Sequence, residues 1–248
     1  RAQAPPSLCK YHSGLTSDLR QQYLLIIMKK ELYNIIVLKL RIIVGWWMNN
    51  QSRQALWLAL AGSIVLMIGM GYGRFAFTGV LPLMLNEGLL TLHEGNLAAS
   101  ANYAGYLVGA LLLARVQPGA ATRLSIISAG LTIASLALLA WVSSPWTIIT
   151  LRAVAGALSA ITLIAGSLWL LEHMGHHHGA PLLYAGVGLG IFISAEGIAL
   201  GHALSLTSQQ IWLLCALCAG LLLALAIRWL LTPPAALVRV SHVETSLP

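Results

Sequence analysis

From about residue 55 onward the chain alternates long apolar runs with short polar breaks. Six runs stand out, over 55–85, 96–113, 124–142, 146–171, 181–204 and 211–231. Each is continuous rather than alternating, and about 20 mostly apolar residues in a helix cross a hydrocarbon layer about 30 Å thick. The breaks hold turn and polar residues. They are Asn86-Glu87-Gly88, the Pro118-Gly119 pair between Arg115 and Arg123, Ser143-Ser144-Pro145, the His-rich stretch around Gly175, and Ser205 to Gln210. A closed β-barrel is excluded, because its strands alternate apolar and polar positions over about ten residues. The pattern predicts an all-α integral membrane protein, with a bundle of six transmembrane helices within 48–231.

Composition agrees with the pattern. The 248 residues are 58% hydrophobic and 8% charged, where a soluble domain carries about 25% charged residues. So little charge cannot cover a globular surface, and so much apolar content excludes disorder. A soluble enzyme is excluded with them. The net charge of +7 does not point to nucleic acid: of the 14 Lys and Arg, Arg1, Lys10, Arg20, Lys29, Lys30, Lys39 and Arg41 precede Met48, and the rest stand singly. Those later ones instead mark sides. Arg53, Arg115 with Arg123, and Arg228 with Arg239 fall on alternate ends of the runs, whereas the other breaks hold Glu87, His93, Glu94 and Ser144 and no Lys or Arg. Both termini are therefore expected on the cytoplasmic side of a bacterial inner membrane.

The composition also shifts abruptly near Met48, from Ile, Lys and Tyr to Ala, Gly and Leu. Met48 is the expected start, which makes 1–47 a leader of doubtful authenticity. The alternative is a basic amphipathic helix over 21–47 lying on the membrane surface. The segment 232–248 reads as a polar cytoplasmic tail or the start of a central loop. Cys9, Cys215 and Cys218 suggest no disulfide, since the last two sit three apart inside an apolar run and read as small packing residues.

Small residues punctuate the runs. Gly69, Gly71 and Gly73 lie in the first, Gly105 and Gly109 in the second, Gly156 in the fourth, and Gly186, Gly188 and Gly190 in the fifth. Small residues four apart let membrane helices approach closely, so Gly71, Gly73, Gly105, Gly109, Gly156, Gly186 and Gly190 are expected at helix contacts. Three alternating glycines also weaken the first helix, at about 1 kcal/mol each relative to Ala, and predict a bend there.

Three charges lie deep inside the runs, well away from their ends: Arg74, Arg152 and Glu196. A charge at a helix centre costs about 2.5 to 3.5 kcal/mol on insertion, so each needs a partner or a wet cavity. With a rise of 1.5 Å per residue, all three fall in the outer half of the layer, together with Asn102. The plain expectation is a structural ion pair, with Glu196 the partner of Arg74 or Arg152. The sharper one is a polar, water-facing site with a surplus Arg that favours an anionic or carboxylate-bearing solute. Proton coupling through Glu196 is a further option. Tyr103 and Tyr106 are placed to line the same space or simply to pack.

The stretch Gly71-Tyr72-Gly73-Arg74-Phe75-Ala76-Phe77-Thr78, followed by Leu81-Pro82-Leu83-Met84, resembles the first helix of YbfB/YjiJ-type transporters of the major facilitator superfamily. The run from Ala101 to Gly109 resembles that group's second helix, Leu151-Arg152 with Gly156 the superfamily's fourth-helix motif, and the run from Tyr184 to Ile191 the group's fifth helix. The resemblance covers about 48–231. It implies the N-terminal six-helix half of a twelve-helix transporter that works by alternating access, with helices one and four lining a central site. Arg74 and Arg152 become cavity candidates, and Arg152 a candidate for proton or substrate binding. The implied partners are the bilayer, a small solute, a coupling proton, and a C-terminal half or a second copy. Two departures stand out: the loop from Arg115 to Arg123 has no acid where the superfamily latches its gate, and the fifth helix lacks the Gly-Pro pair associated with antiporters.

Other functional classes fit the sequence less well. His173, His176, His177 and His178 beside Glu172 would suit a transition-metal permease, but no run carries paired His or carboxylates to pass an ion onward. A solvated loop is the simpler reading, and neither a metal nor a cofactor is expected. Ser167 and His202 fall near opposite faces of the layer, which rules out an intramembrane serine protease. A non-transporting six-helix scaffold or pseudogene fragment remains the alternative to a transporter.

Overall fold

The computed structural model describes residues 50–233. The 1–47 leader, Met48, Cys9, Arg239 and nearly all of the 232–248 tail lie outside the described residues. Helix α1 (Asn50–Leu66) runs without a break through a π segment (Met67–Phe75) into α2 (Ala76–Asn86). Then follow α3 (Leu92–Leu112), α4 (Ala121–Leu139), α5 (Pro145–Ser167), α6 (Ala180–Ala203) and α7 (Ser208–Leu230). A second π turn (Leu168–His173) extends α5. With α1 and α2 taken as one continuous rod, the described residues form six rods.

Five of the six are long and apolar enough to cross a membrane. The exception is α3. At 21 residues it is long enough, but Asn96, Asn102, Tyr103 and Tyr106 make it less apolar. The first rod has the opposite surplus: its 34 residues from Arg53 to Asn86 extend about 51 Å, well beyond a straight crossing.

Two helices start further out than their apolar runs, and for the same reason. The Thr91 hydroxyl accepts from the Glu94 backbone N–H at 3.3 Å, and the Thr91 N–H donates to Glu94 Oε2 at 2.8 Å. Thr207 and Gln210 repeat this reciprocal cap at the start of α7, with distances of 3.3 and 3.0 Å. Each box satisfies two N–H groups that the first turn cannot bond internally. Hydrogen bonds from the Thr91 backbone and hydroxyl hold the Glu94 carboxyl below the usual carboxylate range. At the end of α2, Glu87 accepts from the Ser208 backbone N–H at 2.8 Å and from its hydroxyl. This ties the first rod to the last.

Close backbone approach organises the middle of the bundle. A Cβ on Gly105 would collide with the Ala153 carbonyl, one on Gly109 with Ala157, and one on Gly156 with the Asn102 backbone, so α3 and α5 lie nearly in backbone contact. Gly186 meets Ser63, and Gly71 faces Gly190, so α6 closes on the first rod in the same way. Buried apolar side chains gather in two clusters. One holds Met84, Leu90, Leu139, Ile148 and Trp212, and the other Leu58, Ala121, Trp169, Met174 and Leu230.

The π segment lies where these clusters meet on the first rod, at the glycines from which a weakened helix was expected. Its last hydrogen bond runs from the Ala76 N–H to the Gly71 carbonyl, five residues back. Three helices lean on its three glycines. A Cβ on Gly69 would strike Thr162 of α5 at 2.6 Å, one on Gly73 would strike Thr132 of α4 at 2.7 Å, and one on Gly71 would strike Gly190 of α6. The rod widens its winding there while three neighbouring helices press on it too closely for any larger residue.

Candidate functional site

The polar residues of the first rod and of α3 converge just beyond the π segment. Arg74 is half-buried, and its guanidinium lies 4.2 Å from the Tyr106 ring centre and 4.8 Å from that of Tyr103. Phe75 stands 5.6 Å away on the other side. Cations are attracted to the electron-rich faces of aromatic rings, so this cage holds the guanidinium without neutralising it. Its edge stays available to an oxygen acceptor.

Arg152 is 1% exposed, and the backbone of the first rod engages both its Nη groups. Its Nη1 donates to the Gly73 carbonyl and its Nη2 to the Arg74 carbonyl, both at 2.9 Å. Its guanidinium also lies 4.6 Å from the Phe77 ring centre. The planar fork of the guanidinium thus spans two consecutive carbonyls at the end of the π segment, one from each Nη. Asn102 completes the strut from α3, donating from Nδ2 to the Arg152 carbonyl at 2.9 Å. Arg152 Nε is buried without a hydrogen-bond partner among the described residues.

Arg74, Thr78, Asn102, Tyr103 and Arg152 line a cleft of about 60 Å³. Among the described residues it is lined by two guanidinium groups and no carboxylate. The described residues hold four carboxylates. Glu87 and Glu94 are engaged at helix starts, and Glu172 sits in the far π turn.

Glu196 requires a correction. It is exposed on α6 and lines neither arginine's surroundings. Ser194, two residues earlier, is the α6 side chain that faces the first rod, with its hydroxyl 3.4 Å from the Gly71 carbonyl. Two residues turn a helix by about 200°, so Glu196 stands at the expected level on the wrong side to pair with Arg74 or Arg152. Thr78 and Phe77, by contrast, belong to the cleft and its floor although nothing in their spacing singled them out.

The histidine-rich turn lies at the far end of α5 and α6. Burial, reinforced by the neighbouring His178 and His177, pushes His176 below the usual imidazole range. Among the described residues no three His, Cys, Asp or Glu side chains are arranged to hold a metal ion.

Residues 66–246 match the family described as "Uncharacterised MFS-type transporter YbfB". That span takes in the π segment, the Arg74 cage and the Arg152 strut. The chain belongs to this family. No curated protein and no solved structure matches it. An MFS-type transporter is not a catalytic protein, and the membrane-spanning helical architecture agrees with that assignment.

Proposed function

We propose that this chain forms a six-span body of a secondary transporter, with all of 48–231 in the bundle, and that it moves a small anionic solute by alternating access. The observation that supports this reading is the state of Arg74. It is a caged, half-buried guanidinium beside a cleft without carboxylates. A cation kept unpaired inside an apolar bundle is costly, and such groups mark solute or ion pathways. Arg74 is the anchor for the solute. Arg152 and Asn102 hold the backbone that aims it, and Tyr106 and Tyr103 orient it.

In this reading α3 is the sixth span, kept in the layer by its close packing on α5. The arginine pattern of the loops places both termini in the cytoplasm of a bacterium whose inner membrane holds the protein. A second six-helix body, either a C-terminal half or another copy, supplies the opposite wall of the cavity. Glu196, exposed on α6 and unneutralised by either arginine, is the residue available for a coupling proton.

The test is uptake into proteoliposomes of a panel of radiolabelled small acids, amines and neutral solutes by the full chain together with any second body. Arg74→Gln should lower anion uptake on the order of a hundredfold, the cost of losing one charge-assisted contact to a carboxylate. Flux confined to cations or neutral solutes, or anion flux indifferent to Arg74→Gln, would overturn the proposal.

A further inference from the structure

Two positive charges line the small cleft at Arg74, and none of its lining residues is a carboxylate or an imidazole. A guanidinium stays protonated even when buried. Aromatic faces and backbone carbonyls hold both groups in place but cancel neither charge. A single negative charge on Arg74 would leave the second cation uncompensated in surroundings of low dielectric. Arg152 cannot turn toward a ligand, since both Nη groups are on carbonyls and its Nε is buried. It therefore supplies charge at a distance, and Arg74 supplies the contact.

The other lining residues narrow what can bind. Phe75 and Tyr103 each have Arg74 over the ring, and Phe77 has Arg152, so cations occupy faces on which an apolar body would stack. The Thr78 hydroxyl donates to the Phe75 carbonyl and Asn102 Nδ2 to that of Arg152, so the neutral donors are already engaged. The cleft's volume of about 60 Å³ is far below the ~300–1,000 Å³ of a site for a drug-sized ligand. What fits is a compact, highly charged head. A dicarboxylate separates its charges along a carbon chain, whereas a tetrahedral oxyanion carries both within one small group. Resting on the anion reading above, we propose that the group bound here is a doubly charged tetrahedral oxyanion, such as sulfate or a phosphomonoester head, with its oxygens on Arg74 and its second charge balanced by Arg152.

A second charge is also more costly to dehydrate, which works against tight binding. Here that cost is limited, because the cleft is not sealed. Arg74 is half-buried and Tyr103 exposed, so the outward oxygens of a bound head keep their water. At an effective dielectric constant of about 20, unit charges several ångströms apart still attract strongly enough for a preference of about tenfold or more.

The experiment measures binding of radiolabelled sulfate to the full chain in phosphatidylcholine nanodiscs, with methyl sulfate, methyl phosphate, succinate and methylammonium as competitors. Sulfate and methyl sulfate share a tetrahedral head and differ by one charge, and sulfate should bind on the order of tenfold tighter or better. Methyl phosphate loses its second charge as pH falls through about 6, so it should compete like sulfate at about pH 7.5 and like methyl sulfate at about pH 5. Sulfate keeps both charges over that range and should bind equally well at either pH. Arg152→Lys keeps the charge and should keep the preference, whereas Arg152→Gln should collapse it toward unity. If Arg152→Gln fails to fold, the pH comparison on the parent chain decides. Equal affinity for sulfate and methyl sulfate, methyl phosphate competition indifferent to pH, succinate competing better than either oxyanion, or a preference that survives Arg152→Gln overturns this inference and leaves the anion reading standing. Displacement by methylammonium as effective as by unlabelled sulfate, or binding of none of these anions, overturns both.

Discussion

Two arginines share one cleft, and their surroundings give them opposite tasks. Arg152 donates to two backbone carbonyls and touches almost no solvent, whereas Arg74 meets only aromatic faces. The sequence marks both as cations out of place, together with Asn102 and Glu196, because a charge inside an apolar run is conspicuous whatever it contacts. What it cannot mark is azimuth. Counting 1.5 Å per residue gives depth, and Glu196 shows that two groups at one depth can face opposite ways. The contrast predicts different mutants. Arg152→Lys replaces the rigid planar fork by a flexible ammonium and should cost about 2 kcal/mol of resistance to unfolding in detergent titration. Arg74→Gln, which breaks no hydrogen bond of the fold, should stay within about 0.5 kcal/mol of the parent in the same titration while losing its solute. Equal destabilisation by both changes would mean that Arg74 is also a strut.

At the scale of single elements, helix ends and winding depart most from what hydrophobicity predicts. Apolar content places the second run at 96, yet α3 begins at Leu92, because Thr91 and Glu94 cap each other outside the apolar stretch. The Thr-x-x-Glu spacing was present to be read, but it lies in a break that hydropathy treats as a boundary. The π segment was less legible. Three alternating glycines announce a weak helix, and nothing in their spacing says that its winding widens where Thr132, Thr162 and Gly190 of other helices press on it. The cap has a pH signature. Glu94 titrates below its unfolded value, so its contribution is fully present above the ordinary carboxylate range and disappears as pH falls through the depressed folded value. Amide exchange at the start of α3 should therefore accelerate on acidification below the ordinary carboxylate range. Glu94→Gln keeps a reciprocal acceptor and should flatten that dependence, and an unchanged acid profile in this variant would assign the effect to another group.

The whole molecule is legible in number and unreadable in contact. Runs of twenty apolar residues average over many side chains, so the six helical rods follow from the sequence. Which rods touch depends on single glycines that look alike in a sequence. Gly105 and Gly220 both sit inside apolar runs, and only the assembled bundle separates them. A Cβ on Gly105 would run into the Ala153 carbonyl, whereas a Cβ on Gly220 meets nothing within 4 Å among the described residues. Alanine favours a helix over glycine by about 1 kcal/mol at either position. At Gly220 that gain stands alone, so Gly220→Ala should match or exceed the parent in folded yield and unfolding midpoint. At Gly105 the methyl group must force α3 away from α5, and overpacking of this kind costs about 1–3 kcal/mol. That separation would also pull Asn102 from the Arg152 carbonyl and shift Tyr103 and Tyr106 off Arg74. Gly105→Ala should accordingly lose both folded yield and anion uptake, measured by size exclusion and by proteoliposome flux on one preparation. Retention of both would show that the α3–α5 contact neither holds the bundle together nor shapes the cleft.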